Sequence, residues 1–74
     1  MGNLKGKRFK VTYLAQFDLR NGIKEGDEGV ILENDTNPHV RMDKYNDELG
    51  DAGGLCEDGH GTYMYLPQIE LLLE

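Results

Sequence analysis

The chain has 74 residues with 14 acidic and 8 basic side chains, a net charge of −6 and 38% hydrophobic residues, which describes one small soluble domain rather than a disordered tail. A single cysteine excludes an internal disulfide framework and a cysteine-rich zinc site. The longest apolar run, Tyr63-Met64-Tyr65-Leu66, is far short of the roughly 20 residues that a spanning helix needs.

The first predicted element is a strand over Lys7–Leu14. Phe9, Val11 and Tyr13 alternate with Arg8, Lys10 and Thr12, and a period of 2 with β-branched and aromatic residues on one phase is a half-buried strand. Ala15–Gly22 follows as a loop, with Arg20-Asn21-Gly22 as its turn signal. Gly22, Gly26 and Gly29 then fall within eight residues, too dense for a helix and suited to a tight reversal. Val30-Ile31-Leu32 reads as a short buried strand with Val30 and Leu32 inward. Asn34-Asp35-Thr36-Asn37-Pro38 is a turn, and His39–Asp43 alternates again with Val40 and Met42 inward, so residues 29–43 form a hairpin. Lys44–Gly61 is a long Gly/Asp-rich loop in front of the fourth strand, and loops of that length are functional or mobile. Thr62–Leu66 returns to strand composition, Pro67 interrupts it, and Ile69–Leu72 makes a last strand.

Five short strands with two open edges are poorly behaved as a flat sheet, and curling into a small barrel removes the problem. The expected fold is therefore all-β, a five-stranded barrel over about residues 7–72 of a single domain spanning 1–74. The expected core is Phe9, Val11, Tyr13, Ile23, Val30, Leu32, Val40, Met42, Met64, Leu66, Ile69 and Leu71. Leu73-Glu74 reads equally well as native sequence or as a cloning remnant.

Charge is unevenly spread. Residues 1–24 hold six bases and one acid, and residues 25–74 hold thirteen acids and two bases. Either the basic first strand pairs with acidic loops, or one face meets an anionic partner and another a cationic one.

The order of motifs resembles the SH3-like small barrel. Ala15-Gln16-Phe17-Asp18-Leu19 resembles the family's "ALYDY" segment, Lys24-Glu25-Gly26-Asp27 its "KKGD" turn, and Tyr65-Leu66-Pro67-Gln68-Ile69-Glu70-Leu71-Leu72 its "FPSNYVELL" ending, a strand, a one-turn 3₁₀ helix and a last strand. The chain has no Trp; His39 or Val40 stands near the position of the family's ligand-gripping Trp, and Ile69 replaces the closing Tyr. Only Arg20–Ile23 separate the first two motifs, where SH3 domains carry a long loop. Recognition of PxxP ligands, which needs aromatic ridges, is therefore not carried over. Gly26-Asp27-Glu28-Gly29-Val30 is also similar to the "GD.G.V" of KOW-type barrels in ribosomal and phage-associated proteins.

Cys56 and His60 flank Glu57 and Asp58, but a Gly-rich loop is poor support for a nucleophile with its base, and the paired spacings of zinc sites are missing. Counted from Asp43, an EF-hand pattern fails at Tyr45 and Glu48. No catalytic residue, metal or cofactor is assigned. Tyr63 and Tyr65 flank Met64 and share the outward phase, as at a contact surface. The expected function is a non-enzymatic module that binds another protein through Tyr63, Tyr65, Phe17 and the acidic residues Asp47, Glu48 and Asp51. The alternatives are KOW-like nucleic-acid or ribosome association through Lys5, Lys7, Arg8 and Lys10, and a small acidic inhibitor of prophage type. The lone thiol fits the cytoplasm, and the absence of an apolar stretch behind the basic N-terminal residues fits no secretory signal.

Overall fold

Alternation of apolar and polar residues, read from Phe9 to Leu71, gives five strands. The computed structural model describes residues 4–14 and 21–72. The strands are β1 (Arg8–Val11), β2 (Glu28–Ile31), β3 (His39–Met42), β4 (Gly61–Tyr63) and β5 (Ile69–Leu71), with a 3₁₀ turn at Leu66–Gln68 before β5. All pairings are antiparallel and the order is β4-β3-β2-β1-β5. The protein is all-β, with no α-helix among the described residues. None of the described helices is long and apolar enough to cross a membrane. The expected closure is not found: β4 and β5 are the two edges, and no ladder joins them.

One face of the sheet is the core. Phe9, Val11, Ile31, Val40, Met42 and Met64 are buried there with Ile23. Phe9 lies opposite Gly29, and a Cβ on Gly29 would stand 2.4 Å from the Arg41 carbonyl oxygen and 2.9 Å from Phe9 Cζ. Glycine is thus required under the ring, and it fixes the phase of β2. That phase differs from the expected one. Ile31 is buried and Val30 and Leu32 are only partly so, because a run of three apolar residues does not reveal its phase, and a residue without a side chain hid the core position at Gly29.

Three further core assignments are corrected. Tyr13 is 64% exposed. The strand ends at Val11, and the Thr12 and Tyr13 N–H groups both donate to the Gln68 carbonyl, at 2.8 and 3.1 Å, which breaks the alternation. Leu71 pairs with Phe9 yet is exposed, since β5 is an edge strand. Leu66 is half-buried because the chain has already entered the 3₁₀ turn.

The long loop is packed. Leu49 is 6% exposed and belongs to the core cluster, and Ala52 is buried. Gly50 and Gly61 exchange backbone hydrogen bonds of 3.1 and 2.7 Å, so the loop covers part of the outer edge of β4, a common device for protecting an exposed strand.

Thermal melts would check this packing. Val40→Asp is expected to unfold the domain, because an unpaired buried charge exceeds a small domain's reserve. Gly29→Ala should lower the midpoint by on the order of 10 °C through overpacking, whereas Tyr13→Ser should stay within about 0.5 kcal/mol of the parent. Leu49→Ala should cost about 2–3 kcal/mol, and the Gly61 amide should exchange slowly; a loss under 0.5 kcal/mol would mean that Leu49 is not part of the core.

Candidate functional site

The face of the sheet turned away from the core carries the charged side chains, and they are matched with one another. Arg8 Nη1 donates to Asp43 Oδ1 at 3.3 Å, and Arg8 Nη2 donates to Asp43 Oδ2 at 2.5 Å and to Glu28 Oε1 at 3.2 Å. Lys10 Nζ stands 3.5 Å from Glu70 Oε1. Arg41 grips Glu57 with two bonds, Nε to Oε1 at 2.7 Å and Nη2 to Oε2 at 2.8 Å, a fork geometry that tethers the long loop to β3. Of the four basic candidates, Arg8 and Lys10 thus have intramolecular carboxylate partners, while Lys5 and Lys7 are exposed ahead of β1. The unequal distribution of charge along the chain is, at these positions, pairing between the first strand and later acids.

The other end of this face is aromatic. His39 lies opposite Tyr63 across β3 and β4, with ring centroids 6.5 Å apart at 73°. Tyr63 meets Tyr65 edge to face, at 6.0 Å and 87°. Both tyrosines are partly exposed, at 41% and 39%, while Met64 between them is fully buried, so the expected outward phase holds. Two features position Tyr65: its N–H donates to Gln68 Oε1 at 3.1 Å, and the next N–H, that of Leu66, donates to the Thr36 carbonyl at 3.4 Å.

His39 and Glu33 belong to this cluster, although the sequence suggested no role for Glu33. Glu33 Oε1 accepts the His39 backbone N–H at 2.9 Å and lies 2.6 Å from His39 Nδ1. The backbone donor and then the imidazole hold the Glu33 carboxyl below its ordinary range. The signal was present in the hairpin: Ile31 pairs with Val40, which sets Leu32 opposite His39 and brings Glu33 within one residue of its level.

The remaining candidates are scattered. Phe17 lies outside the described residues. Asp47, Glu48 and Asp51 are exposed on the long loop; Asn46 Oδ1 accepts the Glu48 N–H at 2.9 Å, and the Asp51 carbonyl accepts the Gly54 and Cys56 N–H groups, both at 3.1 Å. These bonds shape the loop and leave the carboxylates at the surface. Cys56 Sγ is 3.5 Å from the Glu57 carbonyl, and burial, then the Glu57 charge, pushes its thiol up, the reverse of nucleophile activation. His60 Nδ1 is 2.8 Å from the Met42 carbonyl and its ring meets Tyr45. Among the described residues no three His, Cys, Asp or Glu side chains are grouped to hold a metal. A shallow pocket lined by Ile23, Asp27, Met42, Lys44, Asn46 and Leu49 has room for about one water. No protein-family model, curated protein or solved structure matches the chain.

The Arg41–Glu57 pair gives an acid-titration test. The Arg41 bonds and the loop's own N–H hold the Glu57 carboxyl at about 2, against an ordinary 4.5. A depressed carboxylate contributes stability that is present above the unfolded value and is lost as pH falls through the folded one. Arg41→Gln should therefore move the Glu57 titration, followed by carboxyl NMR, up toward 4.5 and flatten the acid dependence of the melt between about 4.5 and 2. An unchanged Glu57 titration in that variant would remove Arg41 as the cause.

Proposed function

We propose that this chain is a non-enzymatic SH3-like binding module that meets another protein through the Tyr63–Tyr65 face. The observation that carries the proposal is the edge-to-face tyrosine pair, partly exposed on the side of the sheet opposite the core. Aromatic residues at such positions are characteristic anchors of protein interfaces, where they bring large area at little entropic cost. The SH3-like part draws support from the order β4-β3-β2-β1-β5 and from the 3₁₀ turn at Leu66–Gln68 that returns the chain to pair with β1. A cytoplasmic setting belongs to the same proposal, on the single cysteine.

Association with nucleic acid through the first strand is the weaker reading. Counter-ion release by a basic patch needs cations free to meet phosphates, and Arg8 and Lys10 are matched with Asp43, Glu28 and Glu70. The acidic-inhibitor reading keeps the support of Asp47, Glu48 and Asp51 at the surface.

Paired capture experiments discriminate between these classes. Tyr63→Ala with Tyr65→Ala should lose a bound protein while the fold is kept, since truncating an interfacial tyrosine can cost about 2 kcal/mol or more. Lys5→Glu with Lys7→Glu should keep it. Arg8 is a poor probe of nucleic-acid binding, because its loss also strands Asp43 and Glu28 beside each other. Retention by the tyrosine double variant and loss in the lysine double variant would reverse the assignment.

A further inference from the structure

His39 stands on the outer face of β3, its side chain 43% exposed. Glu33 Oε1 accepts its backbone N–H at 2.9 Å and contacts Nδ1 at 2.6 Å. An oxygen already accepting one N–H, on a carboxyl held below its ordinary range, is an anionic acceptor, so the proton of the 2.6 Å contact belongs to Nδ1. In the neutral form of the imidazole, which carries one N–H, that placement leaves Nε2 as the acceptor. Among the described residues no hydrogen bond engages Nε2.

Further features adjoin His39. The Tyr63 ring centroid is 6.5 Å from that of the imidazole, and the Tyr65 ring centroid is 6.0 Å from that of Tyr63. The turn that supplies Glu33 also carries Asp35, whose charge acts on Glu33. The Thr36 carbonyl of the same turn accepts the Leu66 N–H beside Tyr65, so the acidic turn and the tyrosines adjoin. Lys5 reaches this turn through its backbone N–H, which donates to Asn34 Oδ1 at 3.1 Å.

We propose that this cluster receives a cationic side chain of the protein partner, an ammonium or guanidinium that donates to His39 Nε2, lies against Tyr63 and Tyr65, and is balanced by Glu33 and Asp35. Each component favours the same chemistry: a fixed acceptor, electron-rich rings that attract cations and adjacent carboxylates. A nucleic-acid strand could also stack on the rings, but it would bring phosphates toward Glu33 and Asp35. Glu33 acts here as a positioning residue, through the tautomer that it imposes on His39. The inference rests on the tyrosine-face reading and gives the partner's chemistry.

Two NMR measurements on the full chain test it, with Nα-acetyl-arginine amide and Nα-acetyl-lysine amide as probes and Nα-acetyl-glutamine amide as the neutral control. Long-range proton–nitrogen correlation at neutral pH should show His39 protonated on Nδ1. Titration with the basic probes should shift His39, Tyr63 and Tyr65 in the millimolar range and in a salt-sensitive manner, and the neutral probe should not; the arginine and lysine arms decide between guanidinium and ammonium. Glu33→Ala should move the His39 proton to Nε2 and weaken the basic probes about tenfold or more, the scale of one lost charge-assisted hydrogen bond. An Nε2-protonated His39 in the parent, equal shifts from the neutral probe, or basic-probe shifts confined to Asp47, Glu48 and Asp51 would each overturn the proposal, and none of these needs the variant to fold. If the tyrosine double variant loses a captured protein while the basic probes leave His39 unmoved, the tyrosine face stands and the cationic contact fails.

Discussion

The return of the chain depends on one buried amide. Gln68 is 2% exposed at the end of the 3₁₀ turn, and its hydrogen bonds run to both sides of the fold. Its Nε2 donates to the Tyr13 carbonyl at 3.1 Å, and its Oε1 accepts the Tyr65 N–H at 3.1 Å. Its backbone carbonyl takes the Thr12 and Tyr13 N–H groups and the Thr12 hydroxyl, at 3.2 Å. A buried polar group is costly when unmatched and specific when matched. Here the matching joins the end of β1 to the approach to β5, so β5 enters beside β1 in the register that sets Val11 against Ile69. The same amide fixes where Tyr65 leaves the sheet, which ties the geometry of the aromatic face to the pairing of β5 with β1.

A sheet this small has little core, so its edges and loops take part in stability. Leu49 supplies apolar volume from a segment whose composition is otherwise that of a solvated loop. Gly50 occupies the outer edge of β4 at Gly61, and a Cβ on Gly61 would meet the Ala52 nitrogen at 2.3 Å, so the loop can lie that close only against glycine. Arg41 then fastens the loop to β3 through Glu57. Exposed pairs of this kind are individually weak. Their importance is in specifying position, since a bidentate guanidinium accepts one carboxylate geometry.

Strand existence, order and the central hairpin were legible in the sequence because alternation is a local property: Phe9 and Val11, and Val40 and Met42, announce their face within four residues. What failed was information held by neighbours distant in sequence. The phase of β2 is set by Phe9 lying over Gly29, and nothing in Val30-Ile31-Leu32 encodes that contact. Tyr13 leaves the core because Gln68, fifty-five residues later, draws the backbone off the strand. The expected barrel closure drew on the cost of open edges, but part of one edge is covered by the loop instead. Of the candidate site, the outward phase of Tyr63 and Tyr65 followed from alternation. The Glu33–His39 contact needed the hairpin register, which the sequence gives only once Ile31 is known to face Val40.

The outer face of the sheet divides into two parts with different chemistry. Around Arg8, Lys10 and Arg41, cations and carboxylates are matched, so their fields largely cancel at short range. Around His39, Tyr63 and Tyr65 there are rings and an acidic turn instead. The net charge of −6 is therefore expressed mainly away from the matched patch, at Glu33, Asp35 and the loop acids. Tyr63 and Tyr65 lie outside the buried core, whereas Phe9, Gly29 and Gln68 are buried. The buried residues that hold the fold and the exposed tyrosines thus lie on opposite faces of the sheet, with Gln68 bonded both to the end of β1 and to Tyr65.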